Sequence, residues 1–550
     1  MTLFKPLPRL ITRPISLAVL LGWAGVMAIL INRSYMQASS ANLATDLARY
    51  GSTAVWRGVY YRGDKIGFTV SQTVRTDDGY ELNEDGRLQM SLLGATTAAT
   101  IHTTARVDGS FALRSFEFSL DPGTGAIQVR GRVEAVGPAG QNDGPARRLT
   151  IGITSRSGTR TEVRDLAEPP VLSQNLSRLL ANGGLESGRR HKWTILDPAT
   201  LTSAPVVLNV RKREIVRVGE SVVPAFRVDM EFAGLSTTSW VTDTGEVVRE
   251  ESPLGLVTVR EPADRARAMA VPLRVRDDLL KAAAVVPRMQ PRGMSAFFEP
   301  RDVRRLVLRL EGADLSRLDL DGVGQAAHGN SIEIGDLQTR SAGDPDPDAR
   351  RYLASEPLIE SDAPEIRAEA DRALQMISGP RERAERLTRY VNALLEKKPT
   401  ISLPSAREVL RTRVGDCNEH TALYVAMARA AGIPARVAVG LVYVHGAFYY
   451  HAWPEVYLDE PPGRGMWLAV DPTLNQFPAD STHVRLARGG LEKQTVILPL
   501  VGRLKMTIVE LELAPGTTPI LVGRQPTDLG PLAIAIPRRQ SGGCWSRSPR

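Results

Sequence analysis

The sequence predicts an α+β protein of several domains. A transmembrane helix comes first, antiparallel β-rich domains follow, and a helix that carries a cysteine then packs on an antiparallel sheet. Three observations support this order: one uncharged apolar run near the start, a period of two residues in the first half, and a period of 3.6 residues later. The chain has 550 residues, 43% hydrophobic and 24% charged, which is enough for about three or four folded units.

The N-terminal segment has the pattern of a signal anchor. Lys5, Arg9 and Arg13 lie in a basic segment, 1–14, and the apolar run ISLAVLLGWAGVMAILI follows at 15–31. A helix of that length spans about 26 Å, close to the roughly 30 Å of a hydrocarbon layer. The basic flank predicts a cytoplasmic N-terminus, a single-pass location in the cytoplasmic membrane, and a periplasmic or extracellular bulk. Because MQASSANLA offers small residues, a cleaved signal peptide is the alternative.

The net charge of +8 does not indicate a nucleic-acid-binding protein. It arises from 69 basic and 61 acidic residues that are interspersed along the chain rather than gathered in one patch. The basic, turn-rich residues 524–550 are expected to form a flexible tail. The cysteine and histidine spacings match no metal site, so we expect neither a metal nor a cofactor.

Residues 50–262 are predicted to form a β-rich domain. In GAIQVRGRVEAV, Ile127, Val129 and Val133 alternate with polar residues, which is the pattern of a half-buried strand. The stretch SWVTDTGEVVRE has the pattern of a hairpin around Gly245.

Helical spacing replaces strand spacing in the later part of the chain. In PRERAERLTRYVNALLEK, Leu387, Val391, Leu394 and Leu395 follow the i, i+4, i+7, i+8 stripe of an amphipathic helix. The remaining predicted units are a small β-rich domain at 268–341, a linker at 342–350, a catalytic domain at 355–485 and C-terminal strands at 486–514.

Cys417 is predicted to lie in the first turn of a buried helix from about 417 to 431. Asp416 is a favoured N-cap residue, Glu419 follows three positions on, and Gly432 ends the helix. The unpaired amides and the positive end of the helix dipole favour a thiolate here, which is the form of cysteine that attacks carbonyl carbon. A buried structural cysteine is the alternative, because free cysteine is often buried.

Two strands downstream offer a base and a carboxylate. FYYHAWPEVYL and MWLAVDPT have strand patterns, and a loop centred near residues 461 to 462 would set His451 opposite or diagonal to Asp471 on one face. A thiol, an imidazole and a carboxylate are the nucleophile, base and orienting group of acyl-transfer enzymes.

Three other histidines compete with His451 for the role of base. His420 follows Cys417 on the same helix, and we expect it to satisfy local backbone groups or to pair with Glu419. His445 in a turn and His483 after the last strand are expected to be ordinary surface residues.

Three blocks, GDCNEHTALYVAMARAAGIPARVAVG, HAWPEVYL and WLAVDPT, resemble the motifs of the transglutaminase-like superfamily, which has a papain-like cysteine-protease core. The resemblance covers about 360 to 485. It implies that Cys417 is the nucleophile, His451 the general base and Asp471 the orienting carboxylate. Residues 50–345 also look like the β-rich segments that precede such domains in exported bacterial proteins.

The resemblance further implies an enzyme that acts on protein or peptide amides through a thioester. Water as the acceptor gives hydrolysis and an amine gives transamidation, and the sequence does not choose between them. Trp453, Trp467, Asp416 and Asn418 are possible cleft residues, although tryptophans on strands more often belong to the core.

Two alternatives to an enzyme stay open. The fold can be retained as a non-catalytic scaffold, in which the β-rich domains hold a partner. Cys417 can also pair with Cys544 in a disulfide, which would leave no nucleophile.

Overall fold

The computed structural model describes residues 54–522 apart from short gaps. The gaps are 93–94, 124, 137–145, 167, 220, 233, 253–254, 270–277, 290–294, 323, 336–345, 400–403, 460–464 and 491–492. The predicted basic segment, transmembrane helix and flexible tail lie outside the described residues, as does Cys544.

The predicted fold class was wrong. Strands account for 52% of the described residues and helices for 20%, so this part of the molecule is mostly β rather than α+β. The reason is that one antiparallel sheet takes up most of the chain from Val55 to Arg260, where helices are short and few. Within the described ranges no helix has the length and apolar character needed to cross a membrane, and the transmembrane helix predicted at 15–31 lies outside them.

The large antiparallel sheet has 14 strands. They are β1 Val55–Tyr61, β2 Asp64–Thr76, β3 Gly79–Leu92, β4 Ala95–Asp108, β5 Leu113–Asp121, β6 Ile127–Val136, β7 Ala146–Ser155, β8 Gly158–Leu166, β9 Arg190–Asp197, β10 Thr202–Val218, β11 Ser221–Phe232, β12 Leu235–Val241, β13 Val247–Glu251 and β14 Leu256–Arg260. Their order is β8 to β1 followed by β14 to β9, so β1 and β14 pair in the middle.

Alternation of apolar and polar residues forms these strands. In β5, Phe116, Phe118 and Leu120 are buried while the residues between them are less so, as a period of two requires. Helix α1, Ser173–Gly183, packs Leu176 and Leu180 against buried valines of the sheet. Two short helices follow the sheet, α2 at Ala263–Arg267 and α3 at Leu279–Ala283.

The second half of the described chain forms smaller sheets. Its strands are β15 Arg288–Met289, β16 Ser295–Phe297, β17 Val303–Glu311, β18 Gln325–His328, β19 Ser331–Gly335, β20 Glu396–Lys397, β21 Val414–Gly415, β22 Ala435–Val444, β23 Ala447–Leu458, β24 Met466–Ala469, β25 Val484–Gly489, β26 Lys505–Leu513 and β27 Ile520–Val522. One sheet has the order β15-β26-β17-β19-β18, and another has the order β24-β23-β22-β25. Strand β26 therefore joins the chain near residue 510 to the segment around residue 305.

Helices cluster around the four-stranded sheet. They are α4 Pro364–Ala373, α5 Pro380–Leu394, α6 Ala406–Thr412, α7 Cys417–Ala430 and α8 Gln494–Ile497, with 3-10 turns at Pro300–Asp302, Ala349–Leu353 and Leu498–Leu500. Helix α7 is buried on every side from Glu419 to Arg429, because α4, α5 and α6 surround it together with β22 and β23. Its apolar body is the reason that it lies at the centre of this region.

The large sheet contacts the region around α7 through β8 and the turn before it, and the segment after α3 makes a separate contact. The hydroxyl of Ser157 donates to Glu408 on α6 at 3.1 Å, and Arg160 donates to Ser355 at 2.7 Å. Val285, just after α3, exchanges backbone hydrogen bonds of 2.8 Å with Phe448 on β23. The sheet thus contacts α6, just before the nucleophile helix, and the segment after α3 contacts β23, which comes after it.

A buried ionic network holds three strands of the four-stranded sheet together. Glu455 on β23 accepts from Arg436 on β22 at 2.8 Å and from Arg485 on β25 at 3.4 Å. All three side chains are about 5% exposed. Because removal of one partner leaves buried charge uncompensated, this network constrains the spacing of the strands.

We predict that Glu455→Gln destabilises the fold by about 3 kcal/mol, because two buried guanidinium groups lose their shared carboxylate. Urea unfolding followed by tryptophan fluorescence measures the change. Glu512→Gln, on an exposed position of β26, is the matched control and should shift stability by less than about 0.5 kcal/mol. Equal midpoints for the two variants would contradict the prediction.

Candidate active site

The start of α7 has the predicted capping box. The amide of Asp416 donates to Glu419 Oε2 at 2.9 Å, and the Asp416 carboxylate accepts from the amides of Asn418, at 3.0 Å, and Glu419. Cys417 therefore occupies the first helical position, with three of the surrounding amides used by the cap. The predicted helix start is confirmed by this geometry, and the helix ends at Ala430.

Two hydrogen bonds join α7 to the strand that carries His451. The backbone amide of Ala452 hydrogen-bonds the Cys417 sulfur, and the Ala452 carbonyl accepts from the Thr421 hydroxyl at 3.1 Å. Thr421 lies one helical turn beyond Cys417, so both bonds come from the same face of the helix. The sulfur is thus fixed beside the peptide bond that links residues 451 and 452.

The thiol of Cys417 is partly buried and has a raised pKa. Burial raises its pKa well above the usual range, and the negative charges of Asp416, Glu419 and Asp471 raise it further, while the Ala452 amide opposes them. This direction is opposite to the predicted preference for a thiolate, because loss of hydration and the nearby carboxylates raise the pKa of the thiol. Among the described residues, Cys417 forms no disulfide.

The structure brings His451 and Asp471 together. His451 lies on β23, and its Nε2 is 2.8 Å from Asp471 Oδ2. The ladder between β23 and β24 ends at the pair of Glu455 and Ala469, so Asp471 reaches the histidine just after the pairing stops. The expected pairing of these two side chains is confirmed.

The loop that follows β24 holds the carboxylate of Asp471 in place. Asp471 exchanges backbone hydrogen bonds with Gln476 at 2.8 and 2.9 Å, and its Oδ1 accepts from the amide of Leu474 at 2.9 Å. Asn392 on α5 donates to the carbonyl of Pro472 at 2.7 Å. Both oxygens of this fully buried carboxylate therefore have donors.

His483 is the functional-site residue that the sequence analysis missed. Its Nε2 is 3.1 Å from Asp471 Oδ2, the same oxygen that His451 contacts, and its Nδ1 is 3.2 Å from Asp480 Oδ1. It is 6% exposed, so its prediction as a surface residue was wrong. The missed signal was the stretch VRLARG directly after His483, which forms a strand whose first four residues are all buried.

The two other rival histidines do not meet Asp471. His420 is fully buried, and its Nδ1 lies 2.6 Å from the Asp416 carbonyl, which confirms the expected local backbone contact. Burial lowers its pKa, so the ring is neutral. His445 is an exposed turn residue with φ of 46°, as expected.

The two tryptophans of the possible cleft are both buried. Trp453 is 1% exposed and packs against His451 with ring centres 6.1 Å apart and against His483 at 5.1 Å. Trp467 donates to Asp346 at 3.0 Å and lies 3.8 Å from the Arg436 guanidinium. Trp453 therefore backs the two imidazoles, whereas Trp467 belongs to the core around Arg436.

His451, Asp471 and His483 offer three possible metal-ligand atoms within 4.8 Å of one another. Hydrogen bonds account for this grouping, because both Nε2 atoms lie at hydrogen-bonding distance from one carboxylate oxygen. We therefore assign no metal to the cluster.

Residues 368–472 match the sequence model of the transglutaminase-like superfamily. The matched segment contains Cys417, His451 and Asp471. Uncharacterized proteins of Mycobacterium tuberculosis and Mycobacterium bovis are 30% identical to this chain over 109 residues, which is 18% of this chain and 34% of each relative. The chain thus spans about a third of the length of the curated relatives it matches.

Two solved structures are similar at low scores. A structure named "Putative Cysteine Protease from Cytophaga hutchinsonii" has a TM-score of 0.25 and 15% identity, and the match covers 40% of this chain and 86% of that one. A β-barrel-like protein with a domain of unknown function from Brucella abortus has a TM-score of 0.29 and 12% identity, with 38% and 96% covered. Scores this low do not establish a shared fold.

We predict that Asp416→Asn makes Cys417 alkylation by iodoacetamide about threefold faster at pH 8. Asparagine keeps the N-cap hydrogen bond but removes a negative charge that raises the thiol pKa. In the wild type the rate should still be rising with pH above 9, because the partly buried thiol has a raised pKa. Asp314→Asn, at an exposed turn, is the control. Slower labelling of Asp416→Asn would contradict the assigned cause of the shift.

Proposed function

Because residues 368–472 form a transglutaminase-like domain, we propose that this chain is a thiol enzyme that acts on protein or peptide amides. One observation carries the proposal. The Ala452 amide holds the Cys417 sulfur beside the backbone of His451, whose imidazole is in turn held by Asp471. The proposed nucleophile thus lies next to the residue of the proposed base, and the base contacts the proposed orienting carboxylate.

In the proposed mechanism His451 acts as the general base. Its Nε2 is engaged with Asp471, which leaves Nδ1 to take the proton of the neutral Cys417 thiol as the sulfur attacks the amide carbon. The C–S bond forms and the carbonyl oxygen becomes an oxyanion. The C–N bond then breaks, and His451 returns the proton to the departing amine, which leaves a thioester.

The first turn of α7 supplies the proposed oxyanion donor. The cap uses the amides of Asp416, Asn418 and Glu419, so we assign the oxyanion to the amide of Cys417. A fixed amide at a helix start stabilises negative charge without reorganisation.

Water or an amine completes the proposed reaction. His451 removes a proton from the acceptor, the acceptor attacks the thioester carbon, and the C–S bond breaks to regenerate the thiol. The outcome is hydrolysis with water and transamidation with an amine such as a lysine side chain. The location outside the cytoplasmic membrane stays a prediction from the sequence.

We predict that Cys417→Ala and His451→Ala abolish amide chemistry on fluorescent casein, and that Asp471→Asn lowers it by about 100-fold or more, because the imidazole loses its orienting carboxylate. The assay measures peptide release, and incorporation of dansylcadaverine when that amine is added. His328→Gln, an exposed histidine on β18, is the matched control.

Three outcomes separate the readings. Peptide release alone indicates a hydrolase, and incorporation of the amine indicates a transglutaminase. Turnover that is unaffected by Cys417→Ala, or no turnover of casein and a peptide library by the wild type, would contradict the enzyme and favour the scaffold alternative.

A further inference from the structure

Asp471 contacts two imidazoles, and the proposed mechanism uses only one of them. We propose that His483 is a positioning residue, an imidazolium held between Asp471 and Asp480 that keeps the carboxylate of Asp471 ionised and fixed for His451. The inference deepens the proposed function and rests on it for the role of His451. The charge state of His483 itself is independent of any activity.

The hydrogen-bond partners of His483 require a proton on both of its nitrogens. Nε2 faces Asp471 Oδ2 at 3.1 Å, and Nδ1 faces Asp480 Oδ1 at 3.2 Å and the Asp480 carbonyl at 3.1 Å. All of these partner atoms are acceptors. A neutral imidazole has one N–H group, so its other nitrogen would point a lone pair at a carboxylate or carbonyl oxygen. Only the imidazolium can donate to both sides.

Asp480 is fixed as an acceptor by its own surroundings. Its Oδ1 accepts from the amide of Thr482 at 3.0 Å and from the Thr482 hydroxyl at 2.6 Å, and its Oδ2 accepts from Gln476 at 2.6 Å. These donors and His483 lower the pKa of Asp480 to about 2 against the effect of burial. Asp480 is therefore ionised at neutral pH and cannot donate a proton to an unprotonated nitrogen of His483.

Burial and the two carboxylates act on His483 in opposite directions. Burial alone would lower its pKa, but the hydrogen bonds and charges of Asp471 and Asp480 outweigh burial and raise the pKa to about 10. His451 is the third titratable group in contact, with its ring centre 6.0 Å from that of His483, and Trp453 closes the remaining side without charge. The cation is thus shielded from water and paired on both sides.

The cation has two consequences for Asp471. It offsets part of the negative charge of Asp471 and Asp480, so that Asp471 does not hold His451 in its protonated form before the reaction. It also occupies the second side of Oδ2, which keeps the carboxylate from rotating and disfavours proton transfer onto it. A second imidazole behind the aspartate therefore favours a proton on His451 rather than on Asp471 during the reaction.

The first test is nitrogen NMR of the full chain labelled with ¹⁵N-histidine, in which the sequence provides seven histidines. The signals that disappear in His483→Gln belong to His483. Both nitrogens of that ring should carry protons at pH 7.5 and lose one near pH 10. A His483 ring with one unprotonated nitrogen at pH 7.5 would overturn the proposal. If His483→Gln does not fold, the signals of His483 are assigned with Asp480→Asn, and the titration of the wild type alone gives the answer.

The second test is the effect of His483→Gln on the reactivity of Cys417 and on the pH dependence of turnover. Loss of a cation beside Asp471 should slow Cys417 alkylation by iodoacetamide at pH 8 by about threefold and shift the acid limb of casein turnover up by about one pH unit. The shift is upward because uncompensated Asp471 stabilises the protonated form of His451. His328→Gln should leave both measurements unchanged. Wild-type values in His483→Gln would overturn the positioning role.

The alkaline stability gives a third reading. A folded pKa of about 10 lies above the unfolded value of about 6.5, so the contribution of His483 to stability is complete below pH 6.5 and is lost as pH rises to 10. The thermal midpoint should fall over that range in the wild type and fall less in His483→Gln. The same slope in both proteins would count against the paired cation. Failure of casein turnover with a protonated His483 would refute the enzyme and leave the charge assignment intact.

Discussion

The carboxylate of Asp471 has no exposed surface, and the site is built around the need to compensate its charge. A buried carboxylate without partners is strongly unfavourable. Here Oδ1 accepts from the amide of Leu474, and Oδ2 is shared by His451 and His483. The hydrogen bonds and electrostatic attraction of the two imidazoles outweigh the effect of burial, so the pKa of Asp471 lies far below its usual range. His451 lies on β23 and His483 lies directly before β25, and these two strands flank β22.

The nucleophile side of the site depends on a different contact. Ala452 meets α7 with both of its backbone groups, the amide at the Cys417 sulfur and the carbonyl at Thr421. The strand edge is open at this point, because β24 pairs only with the later part of β23, from Glu455 onward. The open edge allows a helix start to dock where a further strand would otherwise pair. The same docking partly shields the thiol from water, which raises its pKa.

The large sheet contributes to this arrangement from outside the matched domain. Ser157 contacts Glu408 on α6, just before the nucleophile helix, and Val285 pairs with Phe448, three residues before His451. The sheet therefore contacts the chain next to the proposed nucleophile, and the segment after α3 contacts it next to the proposed base.

The sequence by itself determined the local features of this protein. N-cap chemistry fixed the start of α7 at Asp416, and strand periodicity with a short loop brought His451 to Asp471. It misjudged the balance of helix and strand, because the many weak alternating strands of the first half outweigh a few strongly periodic helices. Only the tertiary structure decided that the pKa of Cys417 is raised and that His483 contacts Asp471. Both depend on burial and on partners distant in the chain, and a dielectric environment is a property of packing that no local pattern encodes.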